Sequence, residues 1–313
     1  MNAQTCRPPE MESRKITGKW ARDVLLVARN ELSDSIRSRR TLMLVFLYAA
    51  LIVFAGWMMI RFIESISIRM LTELGISSYE DADALAPVLW KSAEYQRLTR
   101  GFLGAELQES AAGMHPFGWI FGVMAFTLTP ILVMWTSAAR IAEDVGSRAV
   151  RFVAVRISRL SWCLGKYAGQ AIQLLLAMLA GGTCMWILGL LYMPGFAPAA
   201  SAGAIFRMTI ASWIWGLGFL GLATGVSQLT ARHHMATAMG TIVLIAVYVV
   251  HVLSDNINRH AAWKLLDNFF PTGYYRGLWS WEPACLLPAV VMTCALSLLY
   301  LFAGYFFFSK RDL

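Results

Sequence analysis

Six stretches of about twenty mostly apolar residues set the limits on what this chain can become: Thr41–Ile60, Phe117–Ser137, Ala171–Met193, Met208–Thr230, Met235–Leu253 and Ala284–Phe308. Each is long enough to cross the hydrocarbon core of a bilayer as a helix. In lipid only helices and closed barrels satisfy their own backbone groups. Hydrophobic residues make up 58% of the 313 and charged residues 15%, against about 25% charged in soluble proteins. A soluble fold, a disordered chain and a disulfide-stapled scaffold are all excluded. The expected fold is all-α, a polytopic integral membrane protein with six transmembrane helices. The division along the chain is a cytosolic segment (1–40), a six-helix domain (41–308) and a short cytosolic C-terminus (309–313). Within the domain lie an outer loop (63–116), a cytosolic loop (138–170) and a re-entrant-like outer loop (254–283).

The charges predict an orientation. Arg14, Lys15, Lys19, Arg22, Arg29, Arg37, Arg39 and Arg40 precede the first span, and Arg140, Arg148, Arg151, Arg156, Arg159 and Lys166 follow the second. Arg232 sits in the turn between the fourth and fifth spans, and Lys310 and Arg311 near the end. The loop 63–116 is acidic, and Pro194–Ile205 carries no charge. Basic loops stay inside, so both termini are expected in the cytoplasm of a multi-pass protein of the cell (inner) membrane. The net charge of +8 then reports topology and anionic membrane lipids, not nucleic acid. Ahead of the first span, Ala21, Val24, Leu25, Ala28, Leu32 and Ile36 fall on one helical face, which predicts an amphipathic helix in the interface. The outer loop is expected to hold a helix near Leu85–Glu109 and to offer a surface to an extracytoplasmic partner.

Catalytic chemistry is missing. No G-x-x-x-x-G-K-[ST] loop holds a nucleotide phosphate, no H-E-x-x-H is present, and the spans carry almost no ionisable residue for an ion-coupled carrier. Five cysteines form no C-x-x-C pair. His233–His234 and the set His251, Asp255, His260 lack a standard metal-ligand spacing, so interfacial polar residues are the simpler reading and no metal is expected. Gly216, Gly218, Gly221 and Gly225 include a G-x-x-x-G pair suited to close helix packing. Pro130, inside the second span, removes one donor and frees a backbone carbonyl.

The most specific pattern follows the second span: Ala139-Arg140-Ile141-Ala142-Glu143-Asp144, then Gly146-Ser147, Val150-Arg151-Phe152-Val153, Arg156-Ile157-Ser158-Arg159 and Gly165-Lys166. It resembles the cytosolic coupling region of the ATP-binding-cassette type-two exporter permeases, which show an acidic residue, Gly-Thr or Gly-Ser, a Leu-rich stretch, Ser-Arg and Gly-Lys in that order. The proline common before Ser-Arg is absent. Ala28-Arg29-Asn30-Glu31-Leu32, Phe270-Pro271 and Arg311-Asp312-Leu313 recur in such permeases too. The resemblance implies a permease subunit, not itself an enzyme, driven by a separate cytosolic cassette ATPase dimer that carries the ATP and Mg. It implies pairing with a second permease subunit, as a homodimer or with a related chain. It places a coupling helix at Glu143, Asp144, Gly146, Arg151, Phe152, Arg156 and Arg159. In relatives the second and fifth spans line the path, which points to Phe126, Thr129, Met239, Thr241 and Tyr248. A secondary carrier and a non-transporting scaffold or sensor subunit stay open on the residues alone.

The charge asymmetry is directly testable. Single cysteines at Ala86 and Ala199 are expected to react with an impermeant thiol reagent added outside intact cells, whereas those at Ser147 and His233 are expected to stay protected. Labelling of Ser147 from outside contradicts the orientation.

Overall fold

The computed structural model describes residues 9–37, 39–74, 97, 100, 114–147, 156–192, 197–256, 261–280 and 282–310. In chain order the helices are α1 (Pro9–Arg37), α2 (Arg40–Leu74), α3 (Pro116–Ser137), α4 (Arg140–Gly146), α5 (Arg159–Tyr192), α6 (Pro198–Ser227), α7 (His233–Asn256), α8 (Ala261–Asp267), α9 (Tyr275–Trp279) and α10 (Pro283–Ser309), with a 3₁₀ turn at Pro271–Tyr274. No strand occurs among the described residues. Among the described residues five helices are long and apolar enough to cross a membrane, or six when α1 and α2, bent by 72°, count as one broken span. The fold is therefore an all-α polytopic membrane protein. Arg39, at φ 59°, adopts the left-handed conformation at the α1–α2 corner. The helix expected near Leu85–Glu109 lies outside the described residues, Arg97 and Arg100 apart.

α6 is the central post, buried along most of its length, with α3 packed beside it. Small residues set these contacts. A Cβ at Gly221 would collide with the Ser297 carbonyl oxygen of α10, and one at Gly225 would lie 2.6 Å from the Tyr300 oxygen. The glycine stripe of the fourth span is thus a packing surface for the last helix, the role small residues play where helices meet in lipid. On the other side Gly216 accepts Leu174 of α5 and Thr129 of α3. Phe121, Phe219, Trp119, Trp215 and Trp279 fill the core between these posts.

Two helices start well before the apolar runs. α5 begins at Arg159, not Ala171, because Ser158 caps it: the Ser161 N–H donates to Ser158 Oγ at 3.1 Å, a standard N-cap bond. α6 begins at Pro198, not Met208, with proline at its first turn, where the missing N–H costs nothing. This early start carries Arg207 inside the helix. Its Nη2 donates to the carbonyls of Ser280 (2.5 Å) and Trp279 (3.3 Å).

α1 has a docking side as well as an exposed apolar one. It docks on α5 through Val27, Ala28, Glu31 and Ser35, while Leu25 (69%) and Ile36 (48%) of the predicted apolar face remain exposed. Gly165 and Gly169 explain the choice: a Cβ at either would press on Val27 (2.5 Å) or Glu31 (2.9 Å). Two glycines one helical turn apart let the backbones approach.

The segment between α7 and α10 folds over the opposite end. Asp267 accepts hydrogen bonds from Thr272 (2.7 Å) and Ser254 (3.2 Å) and faces His251 Nδ1 at 3.1 Å. Burial alone would raise the Asp267 carboxyl, but these bonds outweigh it and hold the pKa below its ordinary 3.8. A depressed folded value stabilises above the ordinary pKa and the gain disappears as pH falls through it. This cap is expected to loosen below about pH 4, read as hydrogen exchange of α8, and Asp267→Asn to abolish that acid dependence.

Gly221 and Gly203 form a second test. Gly221→Val is expected to cost at least about 1–3 kcal/mol through overpacking, read as a lower melting temperature in detergent. Gly203→Ala, with nothing within 4 Å of the added carbon, should be neutral.

Candidate functional site: the coupling platform

α4 follows α3 after a short break and continues it, the two making one helical run, Phe117–Gly146, whose last turns lie at the basic end of the bundle. A helix this short has little stability of its own, so its position depends on its contacts. Its first N–H groups are satisfied from another helix: those of Ile141 and Ala142 donate to Ser227 Oγ at 3.0 and 3.1 Å. Ser227 is the last residue of α6, so the central post caps the coupling segment. Ile141 and Ala142 are fully buried. Ile141 joins Val27 of α1, Trp162 and Cys163 of α5 and Phe308 of α10 in a second apolar cluster, separate from the main core. Trp162 stacks on Phe308 with ring centres 5.9 Å apart.

Charge completes the attachment. Lys166 Nζ of α5 lies 2.6 Å from Glu31 Oε2 of α1 and also pairs with Asp144 of α4. Lys166 and Glu31 are 12% and 7% exposed, Asp144 29%. One ammonium between two carboxylates from different helices fixes three elements at once. Taking these charges out of water is costly, and mutual pairing is what offsets that cost. Around it, the Gln173 amide donates to Ser35 Oγ at 2.8 Å.

The outer side of α4 stays accessible. Glu143, Gly146 and Ser147 form one wall of a cleft of about 530 Å³, and Ala231, Arg232, His233 and His234 of the α6–α7 turn form the other. Gly146 must be glycine for this approach, since a Cβ would lie 2.6 Å from the Ala231 carbonyl oxygen. The turn and α4 therefore make one composite surface.

The predicted coupling residues separate into groups. Glu143, Asp144 and Gly146 share α4, with Asp144 turned inward to Lys166. Arg156 is exposed. Arg159 belongs to α5 and donates to the Ser309 carbonyl of α10 at 3.1 Å. Arg151 and Phe152 lie outside the described residues. The predicted path residues do not share a wall within one chain. Phe126 is buried among Trp215, Tyr275 and Trp279, 5.4–5.6 Å between ring centres. Thr129 is fully buried. Met239 instead faces outward on α7 at 38% exposure. Thr241 donates to the Thr237 carbonyl, and Tyr248 packs half-buried against the core. Among the described residues no group of His, Cys, Asp or Glu could hold a metal ion.

An all-α bundle that holds, among the described residues, five or six candidate spanning helices is the architecture of a multi-pass membrane protein. Residues 25–313 match the family described as ABC-2 family transporter protein. The chain belongs to that family, the membrane permease components of ATP-binding-cassette transporters, which are generally non-enzymatic subunits. No curated protein matches it.

Lys166→Met is expected to leave Glu31 and Asp144 as uncompensated carboxylates and to destabilise by about 3–5 kcal/mol. Replacing all three residues by leucine should cost less than that single change. Equal melting temperatures for wild type and Lys166→Met contradict the triad.

Proposed function

We propose that this chain is the permease subunit of an exporter, and that a separately encoded cassette ATPase docks on the composite surface of α4 and the α6–α7 turn. The observation that carries this reading is the attachment of α4. A short polar helix is held by Ser227, by a buried apolar cluster and by the Glu31–Lys166–Asp144 pairing. A solvated loop near lipid headgroups needs none of these. Force applied at the exposed side of α4 would pass to α1, α5 and α6 together, because packed interfaces move as units and not as continuously deformable material. ATP and Mg then belong to the partner, and both termini of this chain lie on its side, in the cytoplasm.

Pairing with a second permease finds support on α7. Met239, Ile242, Ile245 and Val249 are exposed along it, and Trp135 of α3 is 57% exposed. In a pair of chains these faces would meet, placing Met239 at the shared surface.

Glu143→Arg is expected to leave membrane insertion and folding intact while lowering ATPase co-purification or transport-coupled hydrolysis at least about tenfold, since like charges facing each other across an interface cost several kcal/mol. Cysteines at Ser147 and His233 should both crosslink to the ATPase. Hydrolysis by the purified chain alone, or full coupling by Glu143→Arg, contradicts the assignment.

A further inference from the structure

A cavity of about 510 Å³ lies between α2, α3, α4 and α5, back to back with the coupling cleft across Glu143 and away from the exposed face of α7. That volume is within the usual range for ligand pockets. Its lining changes character along its length. Leu47, Leu132, Val133 and Ala177 make the deeper part apolar, while Arg140 and Glu143 belong to the end beside α4. Met43 (71%) and Phe46 (76%) on α2 flank the opening on the outer surface of the bundle.

Gln170 makes this more than a packing gap. It lines the cavity and is 5% exposed, yet neither its amide nitrogen nor its amide oxygen has a hydrogen-bond partner. A buried amide left unpaired is costly, and natural structures pair nearly all such groups. The neighbouring Gln173, also lining the cavity, is satisfied by Ser35, so the open valences on this lining are those of the Gln170 amide and the Tyr48 hydroxyl. The Gln170 amide N–H groups call for an acceptor group such as an ester carbonyl, with a water or hydroxyl beside it to donate to the amide oxygen. Such a group must sit between an apolar tail and a headgroup near Arg140.

We infer that this cavity holds a membrane phospholipid, with one acyl chain along Leu47, Leu132 and Ala177, its glycerol-ester region on Gln170 and its phosphate toward Arg140. The opening on the bundle's outer surface gives the acyl chain entry from the bilayer. The polar end lies beside α4, at the level where headgroups reside. The site shares Glu143 with the proposed docking surface but opens on a different face, and its occupancy does not depend on the ATPase.

The test uses the full chain reconstituted in nanodiscs of phosphatidylethanolamine and phosphatidylglycerol, re-extracted in a mild detergent and examined by native mass spectrometry. Wild type is expected to retain one phospholipid per chain. Gln170→Leu should weaken retention roughly tenfold, the scale of one lost buried hydrogen bond, and Ala177→Phe should block the tail and abolish it. Arg140→Gln should reduce the preference for the anionic lipid. Stripping lipid should lower the melting temperature of wild type but not of Gln170→Leu. Four results overturn the inference: no retained lipid on wild type, equal retention by Gln170→Leu, retention of an amphipath that is not a bulk membrane lipid, or a lipid-replete Gln170→Leu more stable than wild type. The last would mean an empty site relieved of an unpaired amide.

Discussion

The structure depends on the burial of one ammonium group near the edge of the membrane. Lys166 is too long and too charged to leave unpaired inside the bundle, and Glu31 and Asp144 come to it from two other helices. Because an isolated buried charge is so unfavourable, this pairing selects the mutual positions of α1, α4 and α5 as well as stabilising them. Ser227 and the Trp162–Phe308 cluster then tie the same region to α6 and α10. A seven-residue helix thereby gains the footing of four longer ones.

The same logic of satisfying every polar group runs through the spans. Pro130 withdraws the N–H that would bind the Phe126 carbonyl, and the Trp215 indole of α6 donates to that carbonyl instead, at 3.1 Å. Trp213 donates to the Ala171 carbonyl at 2.9 Å and Ser297 to the Leu217 carbonyl at 2.6 Å. Side chains from neighbouring helices supply what lipid cannot. Gln170 and Gln228 depart from this pattern, each with both amide atoms unpaired, and Gln170 does so on the wall of a cavity.

The number and order of spanning helices were legible in the sequence because twenty apolar residues have few alternatives in a membrane protein. The α1–α2 corner was legible too, from Ser38-Arg39-Arg40. Helix ends were not. Arg159 and Lys166 look like loop charges; Ser158 starts the helix that holds them, and what lets Lys166 be buried is remote, the carboxylate of Glu31 lying 135 positions away. The docking side of α1 was hidden for a related reason. Hydrophobic periodicity selects Leu25 and Ile36, whereas the docking surface is chosen by the glycines of α5 and by an ion pair that no local pattern reveals. Phe126 and Met239, joined by family analogy, are separated because one faces the interior of the bundle and the other its outer surface.

If α4 moves as one body with α1 and α5, the distance between them should be fixed. Pulsed electron–electron resonance between spin labels at Ser147 and Arg29, both exposed, would measure it in a background lacking the exposed Cys285. A single narrow distance, unchanged by ATP on the co-reconstituted partner and broadened in Lys166→Met, is the predicted result. A broad distribution in wild type, or a narrow one that Lys166→Met leaves untouched, would contradict the account.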